Sequence, residues 1–131
     1  QKAKMLLSRF EMSDKTDKLG KELSKGMQQK LSICCALLPE PKVVLFDEPF
    51  VGLDPHAIKE LKAVMTELRY DECAVLISTH MLDSVEEFWD KALIMRNGQI
   101  AAVRERKEIE QSGEDLEKLF FEITEGRGEN Q

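Results

Sequence analysis

Two short apolar runs, residues 43–46 and 74–77, constrain the fold most strongly, because a stretch with helical periodicity separates them. A short apolar run without alternation is typical of a strand buried on both faces of a parallel sheet. Between the runs, Asp54-Pro55 marks a helix start, since aspartate caps the first amides and proline fits the first turn. We therefore predict a strand, a helix and a second parallel strand, the repeating unit of an α/β layer.

Three further helices and one hairpin follow from the same patterning. A helix is predicted over residues 24–38, and its expected inner face consists of apolar residues at the spacing of one helical face: Met27, Leu31, Cys34 and Leu38. Amphipathic helices are also predicted over 82–89 and 116–123. Asn97-Gly98 between two apolar runs is a strong signal for a tight β-hairpin.

Composition narrows the class of protein. The 131 residues carry a net charge of -6, which argues against a duplex-DNA binder with a broad basic face. Apolar runs all fall short of the ~20 residues of a membrane span. Three cysteines and no visible leader indicate a reducing cytosol. We predict one domain over 1–125 and a flexible tail over 126–131.

Polar side chains follow both predicted strands. Asp47 and Glu48 come directly after the first run, and Ser78-Thr79-His80 ends the second. In open α/β sheets, ligands bind at the carboxyl ends of the strands. Asp47 could hold Mg²⁺, Glu48 could polarise a water molecule, and His80 could donate to a phosphate. A solvated pair of acids and a surface histidine after a capping serine are the structural alternatives.

A third candidate site precedes both strands, at the start of the helix over 24–38. Ser24 can cap this helix, and Gly26 lets a ligand approach the backbone closely. Free amides and the positive end of the helix dipole favour an anion there, and Lys25 adds a positive charge. The alternative interpretation is a plain helix cap with a tolerated glycine.

The order of these segments resembles the ATPase domain of ATP-binding-cassette (ABC) transporters. The matching segments are Leu23-Ser24-Lys25-Gly26-Met27, Val43-Val44-Leu45-Phe46-Asp47-Glu48-Pro49, Gly52-Leu53-Asp54-Pro55 and Ser78-Thr79-His80. The resemblance is close from about residue 19 to residue 103. Within the family, it is most similar to bacterial export-type ATP-binding subunits.

The resemblance implies a role for each motif. Ser24, Lys25, Gly26 and Met27 match the signature motif, which in this family binds the γ-phosphate of ATP held by the opposite subunit. Lys25 and Met27 stand where the commonest form has glycine and glutamine.

Three further positions carry the family's hydrolytic chemistry. Asp47 matches the Walker B residue that holds Mg²⁺, and Glu48 matches the catalytic glutamate that orients water. Gly52 to Asp54 match the D-loop, which crosses the dimer interface. His80 matches the switch histidine.

Two motifs of the family have no counterpart in the chain. The P-loop pattern is Gly-x-x-x-x-Gly-Lys-Ser/Thr, whereas Gly20-Lys21 is followed by Glu22. The Q-loop of the family precedes the signature motif, and we expect that the chain begins too late to contain it. We therefore expect the C-terminal part of a P-loop NTPase domain: mainly parallel sheet, flanking helices and a terminal hairpin. Without the neighbouring P-loop strand, an edge and an apolar face should be exposed.

The resemblance implies an ATPase that couples ATP hydrolysis to membrane transport, in the export direction. Expected cofactors are ATP and Mg²⁺, and expected partners are a second ABC ATPase subunit and a transmembrane permease. The expected location is cytoplasmic, at the inner face of the membrane. We expect no nucleic acid partner and negligible activity of this chain alone. The alternatives are a truncated, non-enzymatic interaction partner and an ABC-type ATPase of chromosomes or DNA repair.

Overall fold

A computed structural model describes residues 1–126 of the chain. The elements, in chain order, are α1 (Lys2–Arg9), α2 (Lys25–Leu37), β1 (Val43–Asp47), α3 (Pro55–Tyr70), β2 (Ala74–Ser78), β3 (Lys91–Arg96), β4 (Gln99–Glu105), α4 (Arg106–Ser112) and α5 (Leu116–Phe121). Short 3-10 turns cover Ser13–Lys15, Gly20–Glu22 and Leu82–Ser84, and a π-helical turn covers Glu122–Gly126. The chain divides into two compact units, Gln1–Met81 and Leu82–Gln131.

The N-terminal unit contains the predicted strand, helix and parallel strand. β1 and β2 pair in parallel, from Val43 opposite Ala74 to Asp47 opposite Ser78. α3 begins where Asp54 accepts a hydrogen bond from the amide of Ala57, as Asp54-Pro55 predicted. The unit's buried apolar side chains are Leu6, Phe10, Met12, Leu23, Ile33, Cys34, Leu37, Val44, Phe46, Phe50, Ala57, Leu61, Val64, Met65 and Cys73.

The sheet buries only one face of β1. Val44 and Phe46 are buried, whereas Val43 is 59% exposed and Leu45 is 70% exposed. Leu76 of β2 is 55% exposed. The apolar run therefore does not mark a strand covered on both sides in this chain. The expectation that an apolar face would be exposed is confirmed.

The inner face of α2 differs from the predicted one. The helix spans Lys25–Leu37, close to the predicted 24–38, but its buried residues are Lys30, Ile33, Cys34 and Leu37. Leu38 is 45% exposed. The buried face is therefore rotated relative to the predicted one. The prediction missed it because a search for apolar residues does not select a lysine.

The C-terminal unit is built on the predicted hairpin. β3 and β4 pair antiparallel around Asn97-Gly98. Both turn residues have positive φ, 51° and 74°, as a type I′ turn requires. The described sheets are thus one parallel pair and one antiparallel hairpin.

The two helices predicted in the C-terminal unit have different outcomes. The helix predicted over 82–89 is wrong, since only the turn Leu82–Ser84 forms there. The helix predicted over 116–123 is α5 followed by the π-helical turn. Apart from Gly126, the tail predicted over 126–131 lies outside the described residues. Within residues 1–126, no helix is long and apolar enough to cross a bilayer.

Candidate functional site

Parallel pairing brings Glu48 and His80 together at the carboxyl ends of β1 and β2. The His80 Nδ1 atom lies 2.8 Å from Glu48 Oε1. A carboxylate oxygen only accepts hydrogen bonds, so this contact puts a proton on Nδ1. The neutral ring then offers Nε2 as an acceptor, and only the doubly protonated ring could donate from Nε2 to a phosphate.

Asp47 lies at the same edge. It is opposite Ser78 in the register, and the Ser78 hydroxyl donates a hydrogen bond to Asp47 Oδ1. No cluster of three or more His, Cys, Asp or Glu side chains suited to a metal is found within residues 1–126. A lone carboxylate suits Mg²⁺ that takes its other ligands from phosphate oxygens and water.

The backbone of Glu48 is strained. Its φ is +44°, in the left-handed region that non-glycine residues seldom occupy. The Glu48 amide donates to the carbonyl of Ser78 at 2.8 Å, and Pro49 behind it is fully buried. Strain of this kind persists only where the surroundings hold the residue firmly, and it is frequent at functional sites.

Glu48 also carries an unsatisfied atom. Its Oε2 is buried without a hydrogen-bond partner, the one such side-chain atom among the residues that the structure describes. Leaving a buried carboxylate oxygen unpaired costs free energy. The oxygen is therefore suited to a further donor, such as a water molecule held beside a phosphate.

The start of α2 has the geometry of a capped helix. Ser24 Oγ accepts a hydrogen bond of 3.2 Å from the amide of Met27. Lys25 is exposed, and Gly26 lies so close to the loop after β1 that an added Cβ would be 2.6 Å from the Gly52 carbonyl oxygen. This contact requires glycine at position 26 and joins the helix start to the segment predicted as the D-loop.

Asp54 is held by a cation that the sequence analysis did not identify. The Lys30 ammonium lies 2.7 Å from Asp54 Oδ2. Together with the hydrogen bond from Ala57, it lowers the pKa of Asp54 from 3.8 to about 2. Asp54 thus stays ionised at neutral pH and connects α2 with α3.

All the predicted site residues lie in the N-terminal unit. Asp47, Glu48 and His80 share the sheet edge, whereas Ser24, Lys25, Gly26 and Met27 form the helix start. Ser78 and Lys30 were missed as functional residues. Lys30 was recognisable only by its position three and four residues before Ile33 and Cys34 on one face of a helix.

Two other features do not suit a nucleotide. Gly20-Lys21 lies in a 3-10 turn, so it is not the strand-to-helix loop that cradles phosphates. A cavity of about 380 Å³ in the C-terminal unit is lined by none of the predicted site residues. Its lining has six carboxylates and one guanidinium, a charge balance that disfavours a triphosphate.

Known proteins resemble this chain over most of its length. The family described as "ABC transporter" matches residues 1–51. The ABC-type transporter ATP-binding protein EcsA of Bacillus subtilis is 40% identical over 91% of this chain and 50% of its own length. The lipopolysaccharide export system ATP-binding protein LptB of Haemophilus influenzae is 32% identical over 92% of this chain and 50% of its own.

A solved structure shows the same fold. The ATP-binding subunit of an ABC transporter superposes with a TM-score of 0.85 at 35% identity, over 93% of this chain and 52% of that one. The α/β layer is therefore that of a P-loop NTPase. The chain is similar to the ATP-binding proteins of ABC transporters, and it spans about half the length of the curated relatives it matches.

Proposed function

We propose that these residues form the C-terminal part of an ABC ATPase domain that hydrolyses ATP to drive transport. The observation that carries the proposal is the contact of 2.8 Å between His80 and Glu48. Glu48 can accept a proton from a water molecule, and the neighbouring imidazole of His80 can contact a phosphate. The orphaned Glu48 Oε2 supports the same assignment.

Each predicted residue then has a chemical task. Asp47 contributes one oxygen to Mg²⁺, which neutralises the charge of the phosphates when it is bound. Glu48 orients the attacking water and accepts its proton, and His80, with a proton on each ring nitrogen, donates from Nε2 to the γ-phosphate. Catalysis consists mainly of positioning and charge stabilisation, as in phosphoryl transfer generally.

The helix start supplies the other half of a composite site. Ser24, Lys25, Gly26 and Met27 bind the γ-phosphate of an ATP whose β-phosphate is held by a second ABC ATPase subunit. Amides at a capped helix start favour such an anion. Two domains therefore close head to tail around two ATP molecules, and Asp54 lies at their interface.

The expected permease partner implies a location at a membrane. Closure and reopening of the dimer drive a separate permease, so the protein works at the cytoplasmic face of the membrane. LptB, whose name places it in an export system, supports export as the direction.

Substitution of Glu48 tests the catalytic assignment. In the complete domain that contains these residues, Glu48→Gln should abolish steady-state ATP turnover and accumulate an ATP-bound dimer, because the amide cannot accept the proton. ATP hydrolysis and size-exclusion chromatography measure both effects. The matched control is Glu87→Gln, at an exposed glutamate of the other unit. Normal turnover by Glu48→Gln would remove Glu48 from this role.

The 131-residue chain tests the half-domain assignment. We expect negligible Mg²⁺-dependent turnover, because the residues that cradle the β- and γ-phosphates are absent from the sequence. Turnover by the purified chain that Glu48→Gln abolishes would contradict this part of the proposal.

A further inference from the structure

One face of α2 is fastened to the loop that carries Glu48. Gly26, Gln29 and Lys30 lie on that face, since residues three and four apart are neighbours on a helix. Gly26 packs against the carbonyl of Gly52. The Gln29 amide donates to the carbonyl of Pro49 at 3.2 Å. The first turns of α2 therefore contact the backbone just after Glu48.

Lys30 makes the only ionic contact in this set. The residue is 8% exposed, and its ammonium binds Asp54 Oδ2 at 2.7 Å. Asp54 Oδ1 accepts the amide of Ala57 at 3.0 Å. One carboxylate thus fastens α2 and caps α3. A charged side chain that is nearly buried needs a counter-charge, so this pair fixes the end of the loop.

The loop between β1 and α3, residues 48–54, is consequently held at both ends. β1 and the Ser78 carbonyl hold the strained backbone of Glu48. Asp54 and Lys30 hold the other end against α2. A residue with φ of +44° keeps its position only if neighbouring contacts determine it.

We propose that Lys30 is a positioning residue that, through Asp54, holds the loop of residues 48–54 in a fixed position relative to α2. The inference rests on the proposed function. There, the phosphate at the start of α2 belongs to one ATP site, whereas Glu48 serves the other. Lys30 and Asp54 therefore connect the helix that would bind one phosphate with the loop that carries the glutamate of the other site.

Amide hydrogen exchange on the 131-residue chain tests the role of the Lys30–Asp54 ion pair without nucleotide. Lys30→Met should raise exchange about tenfold at the amides of Val51 and Leu53, whose hydrogen bonds close the loop. Exchange at Asp71, at the far end of α3, should stay unchanged. Lys30→Arg keeps the charge and should restore protection. Lys59→Met, at an exposed lysine of α3, is the control.

A second variant keeps the test decisive if Lys30→Met does not fold. Lys30→Met/Asp54→Ser removes both charges and retains a hydroxyl that can cap α3. It should show the same local loss of protection. Unchanged exchange at Val51 and Leu53, or an equal rise at Asp71, would contradict the proposal that the Lys30–Asp54 pair holds this loop.

Turnover of the complete domain tests the consequence for the reaction. Lys30→Met should lower kcat by about 10- to 100-fold and leave KM for ATP unchanged, because a small displacement of a catalytic group has effects of that size. Lys30→Arg should recover most of kcat. An unchanged kcat would overturn the positioning role. A wild-type domain without turnover would instead overturn the proposed function and leave the exchange result intact.

Discussion

The two units of the chain are stabilised in different ways. Of the described apolar residues that are buried, all but Ile94 belong to the N-terminal unit. The C-terminal unit leaves Leu93, Met95, Ile100, Val103 and Phe121 at least 43% exposed. Its order instead comes from local devices: the Asn97-Gly98 turn, the capping box between Glu105 and Glu108, and the Asp115 cap.

The contrast explains why the candidate site lies in the N-terminal unit. A strained glutamate and a nearly buried lysine side chain need rigid surroundings, which close packing supplies. Glu48 and Lys30 accordingly lie in the unit with the packed core. The hairpin unit follows short-range sequence signals, which fix local geometry with little burial.

Truncating a core leucine should produce the largest difference between the units. Leu61 is 0% exposed and Leu93 is 46% exposed. Leu61→Ala should lower the free energy of unfolding by about 2–5 kcal/mol, because it removes buried methyl groups and leaves a cavity. Leu93→Ala should cost less than about 1 kcal/mol. Urea unfolding followed by circular dichroism measures both, and equal losses would refute the contrast.

Loss of the Asp54 carboxylate should have the next largest effect. Asp54→Asn leaves the nearly buried Lys30 side chain without its counter-charge, which should cost about 1–3 kcal/mol. Asp17→Asn, in an exposed loop, is the control.

The same contact predicts a pH dependence. The folded pKa of Asp54, about 2, is below its ordinary 3.8, so its contribution is present above about pH 4 and is lost as pH falls towards 2. The difference in urea midpoint between wild type and Asp54→Asn should therefore shrink between about pH 7 and about pH 2.5. A constant difference would contradict the ion pair.

The hairpin turn should respond to backbone conformation alone. Gly98 has φ of +74°, and an added Cβ would meet nothing within 4 Å. Gly98→Ala should therefore cost about 1–2 kcal/mol from strain only. Gly98→Asn should cost less, since asparagine tolerates this region. Thermal unfolding measures both, and equal losses would argue against a conformational cause.

The smallest effect is expected at a half-exposed ion pair of the C-terminal unit. The Arg104 guanidinium binds both oxygens of Glu114, at 2.7 and 3.2 Å, and lowers the pKa of that carboxyl. Glu114→Gln should cost less than any of the changes above, because solvent screens the pair. Added salt should lower the stability of the wild type towards that of the variant. A loss of stability as large as that of Asp54→Asn would mean that this unit contains a tertiary contact comparable to the Lys30–Asp54 pair.

Sequence reasoning was most successful where the signal was local. Asp54-Pro55 predicted the start of α3, and Asn97-Gly98 predicted the hairpin. The meeting of Glu48 and His80 followed from the carboxyl ends of two parallel strands. These inferences need only backbone rules and one assumption about strand direction.

Features that depend on distant partners could not be predicted in the same way. Lys30 is buried beside Asp54, which lies 24 positions further along the chain. Helical periodicity alone does not show that pairing. The apolar spacing over 82–89 predicted a helix, but a helix this short is marginal without a surface to cover its stripe. The left-handed backbone of Glu48 had no visible signal, since the usual residue there would be glycine.

That backbone also limits how position 48 can diverge. A side chain branched at Cβ is excluded by its own sterics at φ of +44°, so valine, isoleucine and threonine are poor replacements whatever their chemistry. Asparagine, aspartate and glycine fit the conformation more easily. A copy of this gene that is selected for folding but not for turnover would therefore be expected to accept only a narrow set of residues at position 48.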